Sequence, residues 1–315
     1  MSSSPTPGST SHDTITFAGL LAPILTPFGA DGTVDHAAFT ALAKALLANG
    51  CTGLAPFGTT SEATSLGIAE RKAGLEALVD AGIDPAMLMP GTGTCAVADT
   101  LDLCAHAHGL GVRACLLLPP FYYKNVSDAG LEAYFAQVLE QLPSGFAAYL
   151  YHIPQMSHVG LSVELVARLA ERFPGQVRGV KDSSGDWDNT SALIAQCPQL
   201  EIFSGAELSL LDNLKAGGAG CISATANLNP TGIRAIIDAH RAGDASGAAS
   251  AQETASTIRR IVQKQPVIPL LKGMLSQARQ QPHLAAVRAP LVALDPAVVT
   301  AMADELRAHG VQQVS

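Results

Sequence analysis

The chain has 315 residues, 48% of them hydrophobic and only 15% charged, enough to bury a large core in one or two globular units. Its 27 acidic and 19 basic residues leave a net charge of -8 with no long basic run, which argues against a nucleic-acid or anionic membrane partner and for a small molecule. No apolar run reaches the ~20 residues needed to cross a bilayer, and the six cysteines form no close pair, so a reducing cytoplasmic setting is expected.

Residues 1–16, rich in Ser, Thr, Pro and Gly, lack the basic start and apolar stretch of a secretory signal and read as a loose arm. From 17 to 241 one unit recurs: a short apolar strand, a polar or glycine-rich turn, then a helix-period stretch rich in Ala and Leu. Strands are expected near 20–26, 53–57, 87–91, 114–119, 147–152, 178–181, 202–204 and 220–223. Helices are expected near 35–48, 69–81, 97–110, 128–141, 163–172, 189–196, 208–216 and 231–241. Eight such units in roughly 225 residues fit an α/β fold of the (β/α)8 TIM-barrel kind, and continuous apolar strands suit a sheet covered on both faces. A doubly wound open sheet is the alternative. Residues 242–315 show only helical periodicity, broken near 265–269, 281–282 and 290–296, and read as a C-terminal helical segment packed on the barrel or on a neighbouring subunit.

In such barrels chemistry sits where the strands end. The sixth expected strand ends on Lys181, followed at once by a polar turn. An amine attacks a ketone only in its neutral form, a small minority for an ordinary lysine at pH 7, and burial in an apolar pocket favours that form. The plain alternative is a lysine that snorkels from a strand end. After the second strand, Gly58 before Thr59 and Thr60 lets the backbone turn so that successive N–H groups can converge on a carboxylate; alone, such a turn is more often a helix cap. Tyr151 ends the fifth strand, where a phenol near an amine can carry protons, with the Thr59 hydroxyl and a second phenol, Tyr122, as relay. Taken in isolation it reads as a half-buried core aromatic.

The stretches GTTSE at 58–62, PPFYY at 119–123, YHIP at 151–154 and GVKDSSGD at 179–186, in this order and spacing, resemble the dihydrodipicolinate synthase and N-acetylneuraminate lyase family. The resemblance runs on through GGAGCISATAN at 217–227 and weakly to 266–274. It implies a TIM barrel with a helical C-terminal extension, a Schiff-base lysine, no external cofactor, and pyruvate or another 2-oxo acid with an aldehyde as partners. It makes Lys181 the imine-forming residue and Tyr151 the proton carrier, with Thr59 and Thr60 holding the oxo-acid carboxylate. It also implies that Tyr122 comes from a neighbouring subunit of a homotetramer, with Tyr123 its adjacent rival. Ser183, Gly205 and Glu207 fall where lyases of the family meet the hydroxylated part of the substrate, and Ile222 where a backbone carbonyl faces the oxo acid.

Departures from the family pattern count as well. His152 replaces the usual Asn, Ser61 stands where glycine is preferred, and 154–158 lacks the arginine by which synthases hold the aldehyde's carboxylate. Ile68 and Arg71 occupy the positions of histidines in lysine-inhibited members; free lysine is therefore expected not to inhibit, and inhibition at low millimolar lysine would contradict this alignment. His106 and His108 point to different faces of one helix, no cluster has zinc-site spacing, and no metal is expected. His158 lies in a loop near the expected pocket mouth, and Trp187 either covers the site or packs beneath a helix. The main reading is a class I lyase or aldolase that cleaves or forms a hydroxylated 2-oxo acid. Alternatives are 4-hydroxy-tetrahydrodipicolinate synthase, an oxo-sugar-acid dehydratase using the same imine, and a 2-oxo acid sensor without turnover.

Overall fold

The strands of this protein are short because few residues need to line a closed barrel, and nearly all of them are buried on both faces. The computed structural model describes residues 16–311; the arm expected at 1–16 lies, apart from Thr16, outside the described residues. Seven parallel strands are β1 (Gly19–Ala22), β2 (Gly53–Leu54), β3 (Ala114–Leu117), β4 (Ala147–His152), β5 (Val177–Asp182), β6 (Glu201–Ser204) and β7 (Gly220–Ile222). Their order in the sheet is β2-β1-β7-β6-β5-β4-β3.

An eighth segment, expected as a strand at 87–91, closes the barrel by isolated parallel bridges, Leu54 to Leu88 on one side and Gly91 to Leu116 on the other. Its bonds are regular: Met89 N donates to Leu54 O at 2.9 Å, Gly91 N to Pro56 O at 2.8 Å, and Leu116 N to Pro90 O at 2.9 Å. Pro56 and Pro90 accept but have no N–H to give, so the ladder is thinned where the sequence pattern predicts full strands. Met87 belongs to a 3-10 turn, Pro85–Met87, and not to the strand.

Helices surround the barrel: α1 (His36–Ala48), α2 (Ile68–Asp80), α3 (Val97–Gly109), α4 (Asp128–Leu139), the single turn α5 (Pro154–Ser157), α6 (Val163–Arg172), α7 (Trp187–Gln196), α8 (Leu210–Lys215) and α9 (Pro230–Arg241). Side-chain caps fix several starts: Asp35, Ser127, Ser162 and Asp186 each accept a backbone N–H of the first turn, which satisfies a donor that the helix leaves unpaired. The C-terminal segment adds α10 (Ala245–Val262), α11 (Val267–Arg279) and α12 (Pro296–Ala308). Gln252 of α10 ties this segment to the barrel rim, accepting from Leu211 N at 2.9 Å and donating to Glu207 O at 2.8 Å. Among the described residues no helix is long and apolar enough to cross a membrane.

Two apolar clusters reflect the period-two alternation of strands. Ala148, Leu150 and Val180 face the helices in the larger one, whereas Leu21, Tyr149, Tyr151, Phe203 and Ile222 fill the barrel interior. On β5, Gly179 and Lys181 share the inward face. A Cβ at Gly179 would sit 2.6 Å from the Tyr149 ring, so only glycine leaves room for that ring beneath the lysine. Tyr149 packs edge-on against Phe17 and Phe203 and donates its hydroxyl to Glu201, which also pairs with Arg178 at 3.0 Å. The barrel therefore has a closed aromatic floor, and its open end is the one at which the parallel strands finish.

Candidate active site

Lys181 is 4% exposed and stands in register with Tyr151 on β4 and Phe203 on β6. Its Nζ lies 4.2 Å from the centre of the Tyr151 ring. No carboxylate lies within 4.0 Å of it among the described residues. Asp182, the next residue, faces outward by strand alternation and is occupied there, accepting from Thr190 at 2.7 Å, Asn189 at 2.8 Å and Ser184 N at 2.9 Å. The amine is thus held among aromatic rings without a counter-charge.

The loop after β2 brings the next groups. The hydroxyls of Thr59 and Tyr151 share a 3.3 Å hydrogen bond across the barrel mouth. The loop closes on itself, Ser61 N to Gly58 O at 3.1 Å and Glu62 N to Thr59 O at 3.0 Å, while the N–H groups of Thr59 and Thr60 donate to no acceptor among the described residues. Two adjacent amides without acceptors on the wall of the cavity that holds Lys181 are donors that can converge on an anion. Ser61 anchors the loop to the chain after β1: its hydroxyl donates to Ile24 O, and Thr26 donates to Ser61 O at 2.8 Å.

These groups open onto a cavity of about 530 Å³ at the C-terminal ends of the strands, lined by Lys181, Tyr151, Thr59, Thr60 and Ile222 and continuing past Ser183 and Gly205. A Cβ on Gly205 would fall 1.9 Å from the Ser183 hydroxyl oxygen, so the glycine is what allows Ser183 to stand in the wall. Trp187, the first residue of α7, lines the same cavity. A second hollow of about 490 Å³, lined by Gly58, Ile68, Arg71, Phe121 and Met156, shares Thr59 and Tyr151 with the first. Arg71 is 5% exposed and donates to Gly91 O; burial lowers its guanidinium to about 10.

One expected contact is not made. Glu207 is fully buried and does not line the cavity: the 3-10 turn Glu207–Ser209 turns its carboxylate inward, where Ser223 donates to it, and leaves Leu208 and Ser209 in the wall. Tyr122 lies 75% exposed, stacked edge-on against the equally exposed Tyr123 at 5.4 Å, and lines neither cavity of its own chain. Within one chain the hydroxyl relay ends at Thr59.

His152 faces away from the barrel interior. Its Nδ1 accepts from Leu161 N at 2.9 Å, and burial lowers its pKa, so the ring is neutral with its proton on Nε2 and holds the 158–161 loop. His158, in a left-handed backbone conformation with φ 54°, is exposed and outside both cavities. Sequence reasoning missed Arg259, which reaches the lysine cavity from the last turn of α10. No motif marks it; only the packing of the C-terminal segment brings it there.

Fold and site together define a TIM barrel with a buried strand-end lysine and a C-terminal helical segment. The family model described as the dihydrodipicolinate synthetase family matches residues 16–309. An uncharacterized DapA-like lyase of Chloroflexus aurantiacus is 36% identical over 286 residues, covering 90% of this chain and 94% of the relative. A 4-hydroxy-tetrahydrodipicolinate synthase of Hyphomonas neptunium is 36% identical over 247 residues, covering 78% of this chain and 82% of the relative. Among solved structures, dihydrodipicolinate synthase from Agrobacterium tumefaciens superposes with a TM-score of 0.84 at 38% identity, covering 92% of this chain and 98% of that one. YagE, a prophage protein of this family from E. coli in complex with pyruvate, gives 0.86 at 27% identity, covering 94% and 99%. The chain belongs to the dihydrodipicolinate synthetase family, whose members are lyases.

Proposed function

We propose that this protein is a class I lyase or aldolase that forms an imine between Lys181 and the C2 carbonyl of pyruvate or a longer 2-oxo acid. The observation that carries the reading is the placement of Lys181 and Tyr151 on neighbouring strands in one register, facing one cavity, with Thr59 3.3 Å from the phenol. Lys181 attacks C2, the carbinolamine loses water, and the protonated imine accepts the electron pair released when the carbon-carbon bond breaks. Tyr151 gives and takes the protons of these steps, and the free amides of Thr59 and Thr60 hold the carboxylate. The pyruvate complex of the E. coli relative supports pyruvate as the bound half.

Tyr122 completes the relay from a second copy. The hollow that reaches Tyr151 and Thr59 has apolar walls, and the exposed Tyr122–Tyr123 pair is an apolar projection of matching chemistry. This favours a homo-oligomer, a tetramer by resemblance. A second reading, 4-hydroxy-tetrahydrodipicolinate synthase, is supported by the names of several relatives, but residues 154–158 carry no arginine for the aldehyde's carboxylate. The same imine also serves a dehydratase of oxo-sugar acids.

Borohydride reduction in the presence of pyruvate, followed by peptide mapping, is expected to place one reduced adduct on Lys181. Tyr151→Phe should still form the adduct but exchange the pyruvate methyl protons about 100-fold more slowly, as the loss of a general acid-base group predicts. Unchanged exchange would remove Tyr151 from its role, and no adduct would remove the imine. A protein that forms the adduct yet turns over no oxo acid across a screen of aldehydes and hydroxylated 2-oxo acids is a sensor.

A further inference from the structure

We infer that Arg259 is the specificity-determining residue of the cavity and selects 2-oxo acids that carry a second carboxylate at the end remote from the imine. The inference rests on the reading of Lys181 as the imine-forming group and adds to it the class of the other half of the substrate. Among the described residues Arg259 is the only arginine that lines the lysine cavity. It comes from the last turn of α10, on the C-terminal segment, and not from the loop after β4 where an arginine is missing.

The guanidinium is only partly used. Nη1 donates to Thr225 Oγ1 at 2.9 Å, and no Asp or Glu lies within 4.0 Å among the described residues. Nε is buried and has no hydrogen-bond partner. With Nη1 taken and Nε closed off from solvent, Nη2 is the donor left to meet a carboxylate at the cavity wall. Of the other arginines whose buried Nε is unpaired, Arg71 donates to Gly91 O, Arg178 pairs with Glu201, and Arg279 of α11 does not line the lysine cavity. Arg259 alone of these combines an unpaired charge with a place on the wall of the lysine cavity.

The other groups of the wall do not cancel that charge. Asp182 is saturated by its three donors outside the barrel. Asp186 caps α7, and both it and Asp212 are exposed at the mouth. Glu207 is withdrawn from the wall and held by Ser223, and none of the three aspartates that line the cavity pairs with Arg259 within 4.0 Å. The cavity thus carries amide donors for one anion at Thr59 and Thr60, an amine for the ketone at Lys181, and a cation for a second anion at Arg259. An uncharged sugar-acid tail would leave the guanidinium charge on the cavity wall without a counter-ion, which disfavours it relative to a carboxylate tail.

The test uses imine trapping, so it does not depend on which reaction the enzyme completes. Five- and six-carbon 2-oxo acids ending in a carboxylate are compared with acids of the same length ending in a methyl or a hydroxymethyl group. The readout is the concentration that half-saturates the borohydride-trapped adduct on Lys181. The native protein is expected to prefer the carboxylate series, and Arg259→Gln to reduce that preference about 100-fold, with Arg259→Lys between the two because it keeps the charge and loses the planar Nη2 donor. Equal half-saturation in the native protein, or a preference that survives in Arg259→Gln, overturns the inference. Pyruvate has no second carboxylate, and its adduct on the native protein reports the imine reading separately. If pyruvate is not trapped, the same acids are compared by calorimetry on native protein and variants, where the same preference and the same loss are required.

Discussion

Lys181→Ala is expected to abolish the pyruvate adduct and to lower turnover by about 10⁴-fold or more, the loss typical when a covalent nucleophile is removed. The same substitution should leave the thermal midpoint unchanged or raise it. Of the seven lysines, only Lys181 and Lys272 are buried among the described residues, and Lys181 has no carboxylate to hold it there. A polar group kept in an apolar wall without a partner costs stability, and that cost is tolerated where function needs the group. Lys181→Met, which fills more of the vacated volume, should be the more stable of the two variants and equally inactive. The measurement is a melting curve beside the trapping assay. A variant that loses its adduct together with its cooperative melt would show that Lys181 supports the fold, and a variant that keeps an adduct would move the imine to another amine.

Much of this geometry is legible in the sequence, for a physical reason. The site is built from strand ends, and strands impose alternation: once β4 and β5 are recognised, Tyr151 and Lys181 must emerge on the inner face together, and Gly179 must lie below the lysine. The turn at Gly58 and the two threonines after it carry their own backbone logic. What failed depends on partners distant in the chain or on backbone chemistry that propensity ignores. Glu207 turns inward because Ser223 and Gln252 claim its carboxylate and its carbonyl, neither of which its own segment reveals. The third barrel segment is reduced to bridges by Pro90 and its neighbour Pro56, although its residues are as apolar as those of a strand. Arg259 was invisible because a helix of the C-terminal segment carries it into a cavity made by the barrel.

The second buried lysine predicts the opposite behaviour. Lys272 of α11 is fully buried and reaches 2.6 Å to Glu62, 210 residues earlier, with its ammonium 3.9 Å from the Phe28 ring centre. Glu62 ends the loop that holds Thr59 and Thr60, in a left-handed conformation with φ 56°, and its other oxygen accepts from Arg288 N at 2.8 Å. The C-terminal segment thus clamps the loop that carries Thr59 and Thr60 through one carboxylate. Lys272→Met leaves that carboxylate buried without its cation and is expected to destabilise the fold by about 3–5 kcal/mol, whereas Glu62→Gln with Lys272→Met removes both charges and should recover part of the loss. The pH dependence gives a second check. Burial lowers Lys272 from 10.5 to about 8, more than Glu62 restores. Between about pH 8 and the unfolded value near 10.4, the unfolded chain binds a proton that the folded chain has released, so this group adds stability as pH rises through that window, by at most about 1.4 kcal/mol per pH unit. Below about 8 both states hold the proton and the slope from this group vanishes. Denaturation of the native protein and of Lys272→Met at pH 7, 8, 9 and 10 should therefore show a gap that is already wide at pH 7 and widens further above 8. A gap under about 1 kcal/mol at pH 7 would mean that Glu62 is satisfied by Arg288 alone, and the clamp would then be the backbone of the segment and not its lysine.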